Sequence, residues 1–147
     1  MRSTIVENGI IDLPYRNGRH APIAGEDQAR VIATILAEPA AHIGKTYTLC
    51  GPTELDQTGI AAAMTEVLGR KISYRPLTIP QYRERLEKAG LHEFMIQHFC
   101  AVAVDYQNGL FSGQDKFIAE LTGKPPMTVR EFVASHREAF TTARAAG

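Results

Sequence analysis

The feature that most constrains this chain is a strand-and-turn at residues 47–52 that leads into a helix without any glycine cluster at the junction. Twelve glycines are spread from Gly9 to Gly147, and no two of them are separated by a single residue. The Gly-x-Gly-x-x-Gly turn, which lets a backbone approach a pyrophosphate, therefore cannot be built from this sequence. We expect no cofactor-binding residues and no dinucleotide held by this chain alone.

Composition fits one folded unit, because 147 residues with 44% hydrophobic and 22% charged residues can bury a sizeable core. The sequence shows no repeat or linker, so residues 1–147 are predicted to form a single domain, with a frayed tail at 141–147. Sixteen basic and sixteen acidic residues cancel. A chain without net charge has no summed field for nucleic acid or an anionic membrane, and neither is expected as a partner.

The two cysteines, Cys50 and Cys100, lie far apart and outside any Cys-x-x-Cys spacing. This pattern favours free thiols in a reducing compartment over a disulfide or a zinc site. The chain starts without the apolar segment of a signal peptide, and no apolar run reaches the roughly 20 residues that a membrane span needs. The expected location is cytoplasmic.

Apolar spacing and capping residues predict a mostly helical chain. Asp56 is a helix N-cap, and Thr78 and Thr128 each begin a capping box. The first helix is predicted to bury a stripe of four residues, Ala29, Ile32, Ala33 and Leu36. The predicted helices run from Glu26 to Pro39, from Asp56 to Gly69, from Thr78 to Gly90, along a stripe from Met95 to Tyr106, from Phe117 to Gly123, and after Thr128 through Phe140.

Strand signals are few and short. Residues 47–50 are predicted to form a buried strand, and residues 71–77 alternate as an edge strand would, with Pro76 near its end. An apolar run at 10–14 is followed by Asn17-Gly18, which predicts a hairpin. Taken alone, the chain is therefore predicted to be α+β, a mostly helical lobe with a few short strands.

Four stretches in series, at residues 22–30, 44–52, 66–74 and 121–126, together with the following Glu131-Phe132, resemble the NmrA-like family of atypical short-chain dehydrogenase/reductases. The resemblance covers nearly the whole chain but matches only the C-terminal half of such a protein. It implies an α/β fold, the C-terminal part of a truncated Rossmann-type protein. In that family the C-terminal half supplies the last sheet strands and a small helical lobe that closes over the substrate.

The same resemblance implies a function. Family members bind NAD(P); some reduce quinone-like or other small molecules, and others act as redox-sensing regulators. The superfamily's Tyr-x-x-x-Lys pair is missing, so no catalytic residue is identified. The five tyrosines are followed four positions later by Arg19, Gly51, Thr78, Leu86 and Leu110. We therefore expect the substrate-binding portion of an NAD(P)-dependent oxidoreductase, without catalytic activity alone.

Two groups of side chains are the predicted substrate-binding residues. The first lies in the loop after residue 14, where arginine can hold an anion and histidine can move a proton near neutral pH; its members are Tyr15, Arg16, Arg19 and His20. The second lies on the longest helix and offers aromatic rings to a small aromatic ligand; its members are Phe94, Phe99 and Tyr106. The alternatives are a solvated hairpin tip for the loop and plain helix packing for the rings.

Other chemically suggestive residues also have structural interpretations. Asp27 is a candidate acid–base group, but a carboxylate in the first helical turn is also stabilised by the helix dipole. Cys50 ends the predicted strand on the side where ligands bind in α/β sheets, or it simply packs in the core. His92 and His98 share a helix but are six residues apart, which turns them about 120° away from each other. No metal site is expected.

Two further hypotheses remain open. One is a non-catalytic interaction or redox-sensing module that acts through a homodimer or a partner chain covering an exposed sheet edge. The other is a small isomerase or hydrolase that uses Asp27 and His20. The identity of the substrate, the oligomeric state, any remaining activity, and whether the chain is natural, truncated or a fragment are also left open by the sequence.

Overall fold

The computed structural model describes residues 2–141, with side chains from residue 4 onward. The predicted mostly helical chain with short strands is confirmed. In chain order the elements are α1 (Arg2–Asn8), β1 (Ile10–Ile11), α2 (Gly25–Ala37), a 3-10 helix (Pro39–His42), α3 (Gln57–Leu68), β2 (Ser73–Tyr74), α4 (Ile79–Lys88), α5 (Glu93–Gln107), α6 (Phe117–Thr122), α7 (Val129–Ser135) and α8 (Arg137–Thr141).

The two strands pair in parallel, with Ile10 opposite Ser73 and Ile11 opposite Tyr74. The backbone N–H groups of Ser73, Arg75 and Leu77 donate to carbonyls of the β1 segment at 2.8–3.2 Å. Parallel strands need a crossover connection, and here α2 and α3 lie between β1 and β2 in the chain. The predicted strand around residues 71–77 is thus present, but it is short: only Ser73 and Tyr74 are paired with residues of β1.

Helix starts follow their predicted caps. Asp56 accepts from the backbone N–H of Gly59 at 2.7 Å, and Gly69 ends α3 in the left-handed conformation with φ 69°. Thr78 and Thr128 both form complete capping boxes, with Gln81 and Glu131 as their partners. The structure thus confirms the three predicted caps. A cap involves residues only three positions apart, so the sequence contains both partners.

The hydrophobic core gathers around α3. Helix α3 packs against α7 and β2, and α1 packs against α8. Burying these apolar side chains stabilises the fold by about 25 cal/mol for each Å² removed from water. The buried cluster consists of Ile5, Ile11, Ala61, Met64, Leu68, Ile72 and Val133.

The hairpin prediction is wrong. The turn exists, because the Gly18 N–H donates to the Tyr15 carbonyl at 2.8 Å. The residues after it, however, do not return to β1, whose ladder partner is β2. His20 instead forms an isolated antiparallel bridge with Leu55, through backbone hydrogen bonds of 3.1 and 2.8 Å. The loop is thereby tied to the segment before α3.

The predicted strand at 47–50 is also wrong, since none of these residues joins a ladder in the described part of the chain. A strand needs a neighbouring strand to satisfy its backbone groups. The segment is instead connected through Gly51, whose N–H donates to the Ala21 carbonyl at 3.0 Å. An added Cβ at Gly51 would overlap the Pro22 carbonyl, so only glycine allows this close approach.

Helix α2 has its predicted bounds but not its predicted buried face. The four stripe residues are exposed, with Ile32 at 56% and Leu36 at 72%, whereas Val31 is buried. The reason is that α2 packs against α6 through its Val31 side. Its most apolar stripe faces away from the rest of the described chain.

The described part of the chain begins and ends with a helix, α1 and α8. Thr141 is the last residue of α8. The remainder of the predicted frayed tail, residues 142–147, lies outside the described residues. Helix α1 was not predicted, because seven residues are too few to show an apolar helical period, although Gly9 follows its last residue in the left-handed conformation with φ 65°. Within residues 2–141, no helix is long and apolar enough to cross a membrane.

Candidate functional site

A cavity of about 500 Å³ lies between β1 and the helices around it. Its walls come from α1, β1, the loop of residues 13–24, α3, α4, α5, the segment at 127–129, α7 and α8. No Asp, Glu, Lys or Arg side chain of the described residues lines it. A mostly apolar cavity of this size with a few polar groups is typical of a small-molecule site.

Aromatic rings form one wall of the cavity. Tyr15 from the loop and Tyr106 from α5 stack with ring centroids 4.0 Å apart and an interplanar angle of 8°. His20 meets Tyr106 edge-on at 5.2 Å, and Phe111 tilts against its ring at 4.5 Å. Such a wall presents flat apolar faces, and flat aromatic ligands pack well against them.

The loop and α5 are joined through the backbone as well. Gly18 is buried, and a Cβ added to it would overlap the carbonyl group of Tyr106 and lie 2.9 Å from the Tyr15 carbonyl oxygen. The Gln107 amide on the same helix donates to the Pro14 carbonyl at 2.6 Å. The stacked pair therefore rests on direct contact between the main chains of the two elements.

The titratable groups of the cavity are held neutral near pH 7. Burial, with smaller contributions from Tyr82, Tyr106 and Tyr74, raises the pKa of Tyr15 to about 12. Burial also raises the pKa of Tyr82 and of Tyr106. For His20, burial lowers the pKa, and the nearby Glu54 opposes that effect only in part. The His20 Nδ1 atom is buried without a hydrogen-bond partner.

The structure brings together four of the seven predicted substrate-binding residues, since Tyr15, His20, Phe99 and Tyr106 all line the cavity. Their role as ligand contacts stays a prediction. Arg16, Arg19 and Phe94 do not line the cavity.

These three residues lie elsewhere on the surface. Arg16 is exposed at the turn, with φ 48°. Arg19 donates to the Glu54 carbonyl at 2.9 Å and approaches the Glu54 carboxylate at 3.5 Å. Phe94 is 68% exposed at the start of α5. Among the residues whose side chains the structure describes, no arginine lines the cavity to hold an anionic ligand.

Asp27 is a structural anchor in this geometry. Its side chain is buried, accepts from the Met127 N–H at 2.7 Å and pairs with Arg30. Arg30 in turn donates to Thr122 Oγ1 at 2.8 Å and to the Pro125 carbonyl at 3.2 Å. Asp27 does not line the cavity, so it is not placed to act with His20 as an acid–base pair.

The remaining candidates have local roles. Burial and the Asp115 carboxylate raise the pKa of the Cys50 thiol to about 11, which keeps it protonated. His92 caps α5 by accepting from the Phe94 N–H at 3.2 Å. Across residues 2–141, no group of three or more His, Cys, Asp and Glu side chains is arranged to hold a metal ion.

Sequence reasoning missed several cavity residues. Tyr82 on α4 and Ile60 and Met64 on α3 line the cavity but are not among the predicted substrate-binding residues. Gln57, at the first position of α3, was not singled out at all, although it is 4% exposed and lines the cavity. Its only signal is its place directly after the N-cap Asp56.

A dinucleotide does not fit the residues that the structure describes. Its diphosphate needs backbone N–H groups from a glycine-rich turn or a cationic side chain. No cationic side chain belongs to the described lining of the cavity, and the glycines of the chain do not form such a turn. No step of hydride transfer can therefore be assigned to these residues.

Known proteins that resemble this chain are reductases about twice its length. No protein-family model matches the chain. The chain is 28% identical over 143 residues to the NAD(P)H azoreductase of Xenophilus azovorans, a match that covers 95% of this chain and 48% of that protein. It is 26% identical over 129 residues to quinone oxidoreductase 2 of Escherichia coli strain K12, covering 88% of this chain and 45% of that protein.

A solved structure gives the same result. The NADPH-dependent quinone oxidoreductase from Escherichia coli superposes with a TM-score of 0.80 at 26% identity, over 92% of this chain and 49% of that one. The chain thus spans about half the length of the relatives it matches. These findings confirm the α/β fold and the predicted resemblance: the chain is related to the Rossmann-type, NmrA-like NAD(P)H reductases in the portion that corresponds to their C-terminal half.

Proposed function

We propose that this chain is the substrate-binding portion of an NAD(P)-dependent oxidoreductase that acts on quinone-like or other small aromatic molecules. The observation that carries the proposal is the uncharged cavity of about 500 Å³ with a stacked tyrosine wall. A planar apolar compound matches this lining better than an ion does. The reductase names of the relatives support the same class of substrate.

Cofactor binding belongs to another polypeptide segment in this proposal, and the chain alone has no catalytic activity. When bound there, a nicotinamide supplies the hydride. The residues of this chain bind the substrate ring, orient it and exclude water from it. Because Tyr15 and Tyr106 keep their protons near pH 7, the wall they form adds no charge next to the substrate.

Ligand binding by the cavity is tested with menadione, a neutral quinone, added to the 147-residue chain. The chain has five tyrosines and no tryptophan, and Tyr15, Tyr82 and Tyr106 line the cavity, so quenching of tyrosine fluorescence reports binding. We expect Phe99→Ala to weaken the affinity by about tenfold, since it removes an aromatic contact worth roughly 1.5 kcal/mol.

Phe94→Ala is the matched control, because it removes the same side chain from an exposed position of the same helix. It should leave the affinity for menadione unchanged. If the wild-type chain does not bind menadione, or if both variants weaken binding equally, the cavity is not the substrate site.

The proposal that another polypeptide segment binds the cofactor is tested with NADPH. Isothermal titration calorimetry with the 147-residue chain should detect no binding, because no cation or glycine-rich turn of the described residues offers a site for the diphosphate. Tight binding of NADPH by this chain alone would contradict the proposal.

A second candidate function is a non-catalytic interaction or redox-sensing module that acts through a homodimer or a partner chain. The observation that favours it is the exposed apolar stripe of α2, together with Ile43, which lies after the 3-10 helix and is 81% exposed. Such stripes are usually covered in soluble proteins. In either case, we propose the cytoplasm as the location, since both cysteines are free thiols.

Light scattering distinguishes the two candidates. Self-association should raise the mass above the 16.2 kDa of one chain, and Leu36→Lys should return it to that value. Glu38→Lys, two residues further along the chain at an exposed polar position, serves as the control for an introduced lysine. A wild-type chain that stays at 16.2 kDa over a wide concentration range excludes self-association.

A further inference from the structure

Three polar side chains are buried in the described structure, and they differ in how their hydrogen bonds are satisfied. Asp12 and Asp27, at 5% and 2% exposure, are both paired with arginines. Gln57, at 4% exposure, makes no side-chain hydrogen bond to any residue between 2 and 141. A buried amide without partners costs about 1–3 kcal/mol, which a leucine or methionine at this site would avoid.

The Gln57 amide can be reached from the cavity. Gln57 lines it, and its two amide atoms are not among the enclosed side-chain polar atoms of the described chain that lack a hydrogen-bond partner, which are His20 Nδ1 and Asp115 Oδ2. Ile60 and Met64 follow at three and seven positions along α3, on the same helical face, and also line the cavity. The face thus has a polar group at one end and an apolar surface beyond it.

We propose that Gln57 recognises the polar edge of the substrate, with its amide N–H donating to a carbonyl oxygen of an uncharged planar ring whose apolar body lies along Ile60 and Met64. This inference rests on the proposed function and adds to it the group that orients the ligand. A neutral amide binds a carbonyl without introducing charge, which agrees with the uncharged lining of the cavity.

Two probes with the same ring skeleton test this role. Menadione carries two carbonyl oxygens, and 2-methylnaphthalene carries none. By calorimetry, Gln57→Met should weaken menadione binding by about five- to tenfold, as expected for one lost neutral hydrogen bond. It should leave the affinity for 2-methylnaphthalene unchanged or slightly higher, because methionine keeps the volume and adds apolar surface.

Gln28→Met is the control, since it makes the same substitution at an exposed position of α2 outside the cavity; it should affect neither probe. Thermal unfolding should show that Gln57→Met is at least as stable as wild type. If it does not fold, Gln57→Asn, which keeps the amide but withdraws it by one carbon, should show the same selective loss.

Two results would overturn the assignment of Gln57 alone. An equal loss for both probes means that Gln57 only shapes the cavity, and no loss for menadione means that water alone satisfies the amide. If the wild-type chain binds neither probe, the proposed function itself fails. The three results are distinguishable in one set of titrations.

Discussion

The two sides of the cavity wall differ in charge. On the outer side, buried carboxylates hold the wall in place: Asp12 pairs with Arg85 at 2.6 Å, and Asp27 holds the Met127 N–H at 2.7 Å. On the inner side, the neighbours of these residues, such as Leu13 and Met127 itself, line a space that no described charged side chain lines. The carboxylates of Asp12 and Asp27 thus hold the segments around Leu13 and Met127 in place, and the side chains of these segments that line the cavity are neutral.

This difference indicates how the chain separates stability from recognition. A carboxylate that is paired and hydrogen-bonded on the outer side can be replaced only at a large cost in free energy. A neutral polar side chain on the inner side, such as that of Gln57, can change with little effect on folding, because it has no hydrogen-bond partner among the described residues to lose. The predictions below test the two sides separately.

The largest effect is expected at the Asp27 anchor. Asp27→Ala should lower the free energy of unfolding by about 3–5 kcal/mol, because it leaves the guanidinium of Arg30 and the N–H of Met127 without their buried partner. Urea unfolding measures this change. Glu26→Ala, on the same turn but with an exposed pairing to His136, should cost less than about 1 kcal/mol. Similar costs for both variants would remove the distinction between anchor and surface.

Ligand charge tests the inner side. A sulfonated naphthoquinone should bind at least about tenfold more weakly than menadione, because no side chain in the described lining of the cavity offers its sulfonate a cation in exchange for water. Calorimetry at two salt concentrations measures both affinities. Equal affinities, or a strong salt dependence of the sulfonated ligand, would indicate a cation at the site and contradict the uncharged description.

The pH dependence of stability tests the Asp12 anchor. Burial alone would raise the pKa of Asp12, but hydrogen bonds from Arg85 and Thr4 outweigh it and lower the pKa below its usual value. The contribution of Asp12 is therefore present above the unfolded-state pKa of about 3.9 and is lost as pH falls through the folded-state pKa. Urea unfolding between about pH 2 and 6 should show a smaller fall for Asp12→Asn than for wild type. An unchanged fall would assign the acid sensitivity to other groups.

The smallest effect is expected for the hydroxyl of Tyr15. Its pKa of about 12 predicts that one tyrosine ionises well after the ordinary value of about 10. Any stability gained from this shift is present below pH 10 and is lost as pH rises toward 12. Ultraviolet titration of tyrosinate should lose this late step in Tyr15→Phe, with little change in stability at pH 7. A late step that persists would place the raised pKa on another tyrosine.

Local features of the fold could be predicted from the sequence, and features that depend on a distant neighbour could not. The caps at Asp56, Thr78 and Thr128 involve residues three positions apart, so the sequence contains all of their partners. The strand at 47–50 and the buried stripe of α2 depend on what lies beside them. Apolar spacing alone cannot say which neighbour is present.

The candidate site shows the same limit. The aromatic residues on α5 and the loop at Tyr15 were both predicted, but nothing in the sequence joins two segments about 90 residues apart into one stacked pair. Arg19 has the same chemistry as an anion-binding arginine, and only the position of Glu54 shows that it is engaged elsewhere. Gln57 could not be predicted, because only the folded structure shows that its buried amide lacks a hydrogen-bond partner among the described residues.

The contact between Gly18 and the carbonyl end of α5 has a consequence for how this protein can vary. Because the backbone of the loop at Gly18 is in direct contact with the backbone of α5 at Tyr106, this contact sets the distance between the Tyr15 and Tyr106 rings. Substitutions at these two tyrosines would change the rings of this wall without changing the spacing of the two backbone segments. A methyl group at Gly18 would do the reverse, because it would push the loop and α5 apart and leave the side chains of the wall unchanged.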